Sequence, residues 1–334
     1  MRWALAAVVL AAACGPDRTA PGGRLEGSAE SGFEIFGPFT HENLSVFLIR
    51  KPGAPRGDEG MLTLEEALNA GALRVAEKAE GAEVNALEVE NAGDRPVYIQ
   101  AGDTVKGGKQ DRTIAIDFIL PPRSGKTKVD VFCVEPDRWR VRQGGGLRFE
   151  TASVGVATNE QKIALKSERS QSAVWEAGRK VNQALAAKAM TASPHESYVL
   201  AAEDPKVKDR TEAYVKALVG VVEGREELVG ASFAVNGEPT SVEIYATTAL
   251  FRKLWAKLLR AAAVEAFAAR PDRPAVKVPA ASDVAALLRA ADPGESQVRE
   301  LPNGIRMRSR LGTQACRFDT EANGELLHLQ VIKR

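Results

Sequence analysis

The chain has 334 residues, 44% of them hydrophobic, and a formal net charge of +1 at pH 7. Once the N-terminal residues are set aside, this length suits one large domain or two ordinary ones. The near-neutral charge argues against a nucleic-acid-binding protein, because such proteins usually carry a strongly basic domain or patch.

The N-terminal residues have the pattern of an export signal. A positive charge at Arg2 precedes a small, apolar run over residues 4–13, which is too short to span a membrane. Small residues directly before Cys14 resemble the processing site of bacterial lipoproteins. We therefore expect a signal peptide over residues 1–13, lipidation of Cys14 and a Gly-, Pro- and Ser-rich tether over residues 14–31. The alternative is an ordinary cleaved signal with an incidental Cys.

The residue after Cys14 indicates which membrane would hold the lipoprotein. By resemblance to lipoprotein sorting in Gram-negative bacteria, Gly15 in place of Asp favours the outer membrane. The sequence thus predicts a protein of the cell envelope whose first partner is the lipid bilayer, reached through Cys14.

Residues 33–100 are mostly β in pattern. Strands are predicted at residues 44–50, 73–78, 84–90 and 96–100. Thr63 and Glu66 form a capping box that starts a short helix through Leu68. With the two strands that follow, we expect an antiparallel, sandwich-like layer.

Two strands are predicted in the centre of the chain. The first has apolar side chains at every second position, at Ile114, Ile116, Phe118 and Leu120. The second repeats this spacing at Val129, Val131, Cys133 and Glu135. The connection over residues 121–126 is rich in turn residues, so we expect a hairpin-like pair.

Polar and charged residues cluster beside these strands. Gly107 and Gly108 permit positive φ and the close approach of another group. The residues that we expect to form a site are Lys109, Gln110, Asp111, Arg112, Glu135 and Arg138. Because Glu135 ends an apolar strand face, its carboxylate needs a cationic partner, for which we expect Arg112 or Lys109.

Three roles are open to this cluster. It can be an ion-pair network that fixes the strand ends, or a non-catalytic site for a small anionic ligand or an envelope protein. It can also serve a hydrolase-like enzyme that acts on a phosphorylated or glycosidic small molecule. In that case Glu135 is the acid or base, and Lys109 and Arg112 hold the anionic group.

The same stretch resembles a known family, the ARG and Rhodanese-Phosphatase-superfamily-associated protein domain. The matching residues are Gly108, Lys109, Gln110, Arg112, Cys133, Val134, Glu135, Arg138 and Trp139. Asp111 stands where the family pattern has Asn. The resemblance covers about residues 36–267 and brings no established reaction. The family's name implies gene neighbours that process ADP-ribose-like and phosphorylated compounds.

Helices dominate after Trp139. The glycine-rich residues 143–146 form a linker or a loop that closes over a site. Helices are predicted at residues 171–190 and 206–219, and from Leu250 to about Phe267. Lys253, Lys257 and Arg260 line one side of the last helix, as a solvated face or as a contact to lipid phosphate or an acidic partner. Between the helices, Asn236-Gly237 predicts a tight β-hairpin.

A short helix is predicted at residues 283–291, and four strands then form a meander over the C-terminal residues. The fold class is α+β, with the antiparallel layer followed by the helical segment and its hairpin. We divide the folded chain into a main domain over residues 32–269 and a meander subdomain over residues 270–334.

The remaining sequence features exclude several chemistries. The three His residues (His41, His195 and His328) lie outside metal-binding motifs, and no P-loop or GxSxG motif is present. We therefore expect no metal site and no cofactor. Cys133 and Cys316 are either two buried thiols or one disulfide. The function that we expect is ligand or partner binding without catalysis by an envelope-anchored lipoprotein.

Overall fold

The computed structural model describes residues 22–24, 32–57, 60–77, 85–136, 138, 140–141, 148–191, 197–272 and 277–334. Its strands are β1 (Gly22–Arg24), β2 (Glu34–His41), β3 (Leu44–Arg50), β4 (Leu62–Thr63), β5 (Leu73–Ala76), β6 (Ala86–Asn91), β7 (Val97–Ile99), β8 (Asp103–Gly107), β9 (Arg112–Ile114), β10 (Phe118–Leu120), β11 (Gly125–Cys133), β12 (Phe149–Val156), β13 (Leu228–Val235), β14 (Glu238–Tyr245), β15 (Glu295–Leu301), β16 (Ile305–Leu311), β17 (Ala315–Ala322) and β18 (Glu325–Lys333).

The α-helices are α1 (Leu64–Asn69), α2 (Asn159–Ile163), α3 (Gln171–Ala189), α4 (Tyr198–Glu203), α5 (Pro205–Leu218), α6 (Thr248–Ala268) and α7 (Ala281–Ala290). A π-helical segment, Ala164–Glu168, continues α2, and 3-10 helices occupy Val219–Val222 and Pro302–Gly304. The fold is therefore α+β, as the sequence predicts. The capping box of α1 is confirmed, since Thr63 and Glu66 bond each other's backbone N–H.

The described strands form three sheets. The large sheet has nine strands in the order β1-β2-β3-β13-β14-β18-β17-β16-β15. A six-stranded sheet has the order β12-β8-β9-β11-β6-β5, and a three-stranded sheet has the order β10-β7-β4. Neighbouring strands are antiparallel except for β4 and β7. Because β18 pairs with β14, the predicted C-terminal meander is confirmed but continues the large sheet across the proposed subdomain boundary at residue 270.

The hairpin of β13 and β14 turns at Asn236-Gly237, as expected. These two residues have φ of 53° and 80°, the left-handed values that a tight hairpin turn needs. The hairpin lies in the middle of the large sheet, between β3 and β18.

The prediction of one strand over residues 114–120 is wrong, because two separate strands, β9 and β10, occupy this stretch. β9 pairs with β11, with Ile114 opposite Val131, whereas β10 pairs with β7, with Phe118 opposite Ile99. The chain changes sheet at residues 115–117. The alternation of apolar residues could not show this break, because the apolar side chains on both sides of it are buried.

The large sheet is covered on both faces. On one face, Val284 and Leu288 of α7 belong to a core cluster with Val242 and Ile244 of β14. On the other, α6 packs against β13 and joins the main core, which includes apolar residues of the six- and three-stranded sheets. Strands in the middle of the large sheet are therefore buried on both sides.

Part of the predicted tether is built into the large sheet. Gly22–Arg24 pairs antiparallel with residues 34–36 of β2, so the expectation of a free tether over all of residues 14–31 is wrong for these three residues. Main-chain hydrogen bonds at a sheet edge need no apolar alternation, and the composition therefore gave no sign of them. No helix among the described residues is both long and apolar enough to cross a bilayer.

The basic side of α6 is not the solvated face that we expected. Lys257 is only 4% exposed and forms a buried ion pair with Asp103 of β8. One turn earlier, the Lys253 Nζ donates to the Glu66 carboxylate at 3.2 Å. Basic residues at helical spacing occur both on faces that contact water and on faces that other elements cover. The spacing therefore could not show that this side of α6 is covered.

We predict that Lys257→Ala destabilises the protein by roughly 3–5 kcal/mol, because it leaves the Asp103 carboxylate buried without its cation. Lys257→Met combined with Asp103→Asn should recover most of this loss. Urea unfolding followed by circular dichroism measures both. Lys253→Ala, one turn away and more exposed, is the matched control. An equal cost for Lys257→Ala and Lys253→Ala would contradict the prediction.

Candidate functional site

The glycine pair before the predicted site has the backbone that we expected of it. Gly107 and Gly108 have φ of 140° and 54°. A Cβ at Gly107 would lie 2.3 Å from the carbonyl oxygen of Arg148, so only glycine fits between β8 and β12 here. This close approach positions the polar residues that follow.

The structure brings most of the predicted site residues together. The Gln110 Nε2 donates to the backbone carbonyl of Glu135 at 3.0 Å, and its Oε1 accepts from the Arg112 Nη1 at 2.9 Å. Gln110 therefore links the two positions whose proximity the site requires. Arg112 is only 2% exposed, and this burial lowers its pKa against the opposing effects of nearby Cys133 and Glu77.

The carboxylate of Glu135 is paired with Arg138. The Arg138 Nε and Nη2 lie 2.5 and 3.2 Å from the two carboxylate oxygens, a bidentate arrangement. The Arg138 Nη2 also donates to Asp111 at 3.2 Å. Glu135 itself is 3% exposed. The carboxylate is thus closed off by a cation three residues further along the chain.

Arg112, one of the two cations that we expected beside Glu135, contacts another carboxylate. Its Nη2 lies 3.6 Å from the Glu77 carboxylate, which also accepts a hydrogen bond from the backbone N–H of Lys109 at 3.0 Å. Glu77 lies just beyond β5 and was not among the predicted site residues. Its position in the sequence, after a short strand and far from the cluster, gave no signal of this contact.

The contacts of Asp111 explain why a carboxylate, rather than the Asn of the family pattern, suits this position. Its Oδ1 accepts from the backbone N–H of Gly107 at 3.1 Å and from Arg138, and its Oδ2 accepts from the Ser197 hydroxyl at 3.4 Å. A carboxylate can accept all three bonds and also balances the charge of Arg138, which a neutral amide cannot do.

The predicted disulfide alternative is wrong. Cys133 of β11 and Cys316 of β17 are free and buried, and lie in different sheets. Burial raises the pKa of both thiols, so they are poor nucleophiles. Other candidate positions lie outside the described residues, namely Cys14, Trp139, His195 and the loop at residues 143–146.

A second charged cluster, which the sequence did not reveal, lies in the interior. The His328 imidazole of β18 contacts the Asp117 carboxylate through Nδ1 at 3.1 Å and the Glu243 carboxylate through Nε2 at 2.6 Å. Its ring stacks on Tyr245 with a centroid distance of 4.6 Å. His328 is 0% and Asp117 1% exposed.

Two lysines complete this interior cluster. The Lys162 Nζ donates to Glu243 at 2.9 Å, and the Lys166 Nζ lies 3.6 Å from Asp117. Both lysines are buried and lie on the helical segment that begins with α2. Gln330 of β18 connects them, since it donates to Glu243 at 2.7 Å and accepts from Lys166 at 3.1 Å.

The electrostatics of the interior cluster favour the charged forms of its carboxylates and its imidazole, whereas burial lowers the pKa of Lys166. Burial alone would raise the pKa of Asp117, but Lys166 and His328 outweigh it and hold the pKa well below its usual value. For His328, burial lowers the pKa, yet Asp117 and Glu243 more than compensate and raise it. Buried charges paired in this way are structural unless a ligand can reach them. No group of three or more His, Cys, Asp or Glu residues with a metal-binding arrangement occurs in the described part of the chain.

Glu265 lies at the margin of the interior cluster. It accepts hydrogen bonds from the backbone N–H of Asn159 at 2.5 Å and from its side-chain amide at 2.8 Å. Together with Lys162 and Glu243 it lines a small internal space. Burial raises the pKa of Glu265 to about 7, whereas at Glu243 the burial effect is outweighed by Lys162 and His328 and the pKa falls to about 2.

Comparison with protein families gives a match over nearly the whole chain. Residues 32–332 match the ARG and Rhodanese-Phosphatase-superfamily-associated Protein domain, ARPP-1. The chain belongs to this family. The ARPP-1 match includes the C-terminal meander, so the resemblance extends well past Phe267, where we expected it to fade. Comparisons with curated proteins and with solved structures gave no match.

We predict that Glu265 makes the stability of this ARPP-1 domain depend on pH. Its folded pKa of about 7 lies above the unfolded value of about 4.3, so its favourable contribution is complete below pH 4 and is lost as the pH rises through 7. Glu265→Gln removes this titration. Relative to the wild type, the variant should therefore gain on the order of 2 kcal/mol between pH 5 and pH 8.

Urea unfolding at the two pH values measures this difference. Glu160→Gln removes an exposed carboxylate from the mouth of the neighbouring cleft and is the control for the loss of one negative charge. The prediction is refuted by a Glu265→Gln effect of the same size at pH 5 and pH 8.

Proposed function

We propose that the protein is an envelope-anchored lipoprotein whose α+β domain binds a ligand or partner without catalysing a reaction. The observation that carries this proposal is the closure of Glu135 by Arg138. An acid or base catalyst must reach the proton that it transfers, directly or through one water. Glu135 is buried and both of its carboxylate oxygens are engaged, which favours the binding function over the hydrolase alternative.

The family comparison is compatible with this proposal but adds no chemistry. The name of the ARPP-1 domain refers to association with ARG proteins and with the rhodanese-phosphatase superfamily, and to no reaction. An envelope protein and a small anionic ligand both remain suitable partners for a non-catalytic domain. Nucleic acid is a poor candidate, because the chain has no excess of positive charge.

The anchor in this proposal is short. We place it at Cys14, in the outer membrane of a Gram-negative bacterium, because small residues precede the Cys and Gly15 follows it. Since β1 starts at Gly22, the chain between Cys14 and the large sheet can span at most about 28 Å. In this proposal the edge of the sheet formed by β1 therefore stays within about 28 Å of the bilayer.

We predict that Cys14→Ser abolishes lipid attachment, because the thiol is the acceptor of the diacylglyceryl group. The measurement is incorporation of radiolabelled palmitate in a Gram-negative host, with the mass of the mature chain as a second readout. Cys133→Ser, which changes a buried thiol of the folded domain, is the control and should keep the label. A wild-type chain without label would refute the anchor, as would a labelled Cys14→Ser chain.

We also predict that Glu135→Gln costs roughly 2–4 kcal/mol of stability, because it breaks a buried, bidentate ion pair and leaves Arg138 undercompensated. Binding of the ligand or partner should not change once the variant is folded. Urea unfolding gives the stability. Glu176→Gln provides a matched control, because Glu176 pairs with Arg179 at the same sequence spacing but is 53% exposed, and its loss should cost about 0.5 kcal/mol or less.

The hydrolase alternative makes the opposite prediction for Glu135. If the wild type turns over compounds in a phosphoester or glycoside screen, and a Glu135→Gln variant of unchanged stability does not, Glu135 is catalytic and the binding proposal fails.

A further inference from the structure

A cavity of about 450 Å³ opens where the C-terminal end of α6 meets the hairpin of β13 and β14 and the turn between β2 and β3. None of the residues predicted from the sequence as a site lines it. The charged residues at its wall are Lys188, Arg210, Arg270, Lys277, Glu42 and Asp272. They come from five separate parts of the chain, so their convergence is a property of the fold. We call this space the α6 cavity.

The charges around the α6 cavity do not balance. The Lys188 Nζ pairs with Asp272 at 2.8 Å, and the Arg270 Nε pairs with Glu42 at 3.1 Å. Arg210 of α5 and Lys277 have no ion-pair partner among the described residues. The wall therefore carries an excess of two positive charges beside a concave surface, which raises the local concentration of anions.

Hydrogen bonds within the protein hold part of the cavity wall in place without a ligand. The Asn43 amide donates to the Ala266 carbonyl at 2.9 Å and to Asn236 at 3.0 Å, and Asn236 donates to the Ala269 carbonyl at 2.9 Å. These bonds tie two strand turns to the end of α6. A cavity that is already ordered loses less entropy when it binds a ligand.

The position of Lys277 is set by a glycine. A Cβ at Gly237 would lie 2.2 Å from the carbonyl oxygen of Lys277. The backbone of Lys277 therefore packs directly against the hairpin turn. Gly237 also has a positive φ, so glycine suits this position for two reasons. Close packing of this backbone places Lys277 at the wall of the cavity that Arg210 also lines.

The size and floor of the α6 cavity indicate an organic ligand. Phe267, which is almost fully buried, and Pro271 contribute an apolar surface. The volume lies within the range of roughly 300–1,000 Å³ that is typical of small-molecule sites, and it greatly exceeds the volume of an inorganic ion. The ligand must therefore combine an uncharged body with an anionic group.

The other large cleft fits this chemistry less well. A space of about 650 Å³ lies beside α2 and α3, and its charged lining residues are the cations Lys180, Lys333 and Arg334 and the carboxylates of Glu160, Glu168 and Glu265. The Nζ atoms of Lys180 and Lys333 are paired with Glu160 and Glu238, respectively, each at 2.5 Å. This cleft therefore has as many carboxylates as cations among its described lining residues, whereas the α6 cavity has an excess of two cations.

We propose that the α6 cavity binds a small organic anion whose phosphate or carboxylate group is held by Arg210 and Lys277. This inference rests on the proposed binding function and gives it a location and a ligand class. The planar guanidinium of Arg210 suits bidentate contact with an oxyanion, and Lys277 supplies a compact second charge. The apolar floor at Phe267 takes the body of the ligand.

Isothermal titration of the purified protein with matched probes tests the ligand class. AMP and adenosine differ by a phosphate, and glucuronate and glucose differ by a carboxylate; inorganic phosphate provides the anion without a body. We expect at least one organic anion to bind more tightly than both its neutral partner and inorganic phosphate. The pair with the larger difference identifies the oxyanion.

Three variants test the location. Arg210→Gln and Lys277→Gln should each weaken binding of the tighter organic anion about tenfold, and the double variant about a hundredfold. Lys216→Gln is the matched control, because it removes an exposed cation from the same helix as Arg210 but outside the cavity, and its effect should stay within about twofold. Circular dichroism confirms that each variant folds, as expected for changes at exposed side chains.

The outcomes separate this inference from the proposed function. Unchanged binding in the double variant overturns the assignment to the α6 cavity and leaves the binding function intact. A wild type that binds none of the probes overturns the ligand class, while an envelope protein then remains the partner of the domain. Release of phosphate from bound AMP, with the variant effects as expected, would confirm the cavity but overturn binding without catalysis.

Discussion

The structure depends on one buried imidazole held between two carboxylates. His328 bridges Asp117, which follows a strand of the six-stranded sheet, and Glu243 in the large sheet. Asp117 also accepts hydrogen bonds from the Tyr98 hydroxyl at 3.0 Å and from the Thr320 hydroxyl at 2.8 Å, which adds the three-stranded sheet and another strand of the large one. The Asp117 carboxylate thus joins the three-stranded sheet to the large one, three residues after β9 of the six-stranded sheet ends.

An interior ion cluster of this kind makes demands on everything around it. Removing charges from water is costly, so each must keep its partners in good geometry. Lys162 and Lys166 meet this demand from one short helical segment, formed by α2 and its π-helical continuation, and their amines contact Glu243 and Asp117. Hydrophobic packing alone tolerates small displacements of one layer against the other. The directional contacts of the ion cluster define the relative position of the layers more narrowly than apolar side chains would.

Sequence reasoning succeeded where a short-range rule decides the structure. The capping box of α1 and the turn at Asn236-Gly237 depend only on neighbouring residues, and both were predictable. It failed where the basic side of α6 was interpreted as a solvated face, because Lys257 lies on a helix side that β8 covers. At the predicted site, most of the named residues lie close together, but the pairing of Glu135 with Arg138 depends on a backbone conformation that sequence spacing cannot give.

The charged clusters at Glu135, in the interior and at the α6 cavity differ in how accessible their cations are. At Glu135 a carboxylate and a guanidinium close on each other, and in the interior Lys162, Lys166 and His328 are all buried around Asp117 and Glu243. Both groups have already made the contacts that an incoming ligand would offer. At the α6 cavity, two salt bridges form and Arg210 and Lys277 remain, next to an apolar floor. An anion gains most where cations are concentrated but not yet neutralised, so we place the proposed ligand site at this peripheral cavity and assign the buried clusters to holding the fold that shapes it.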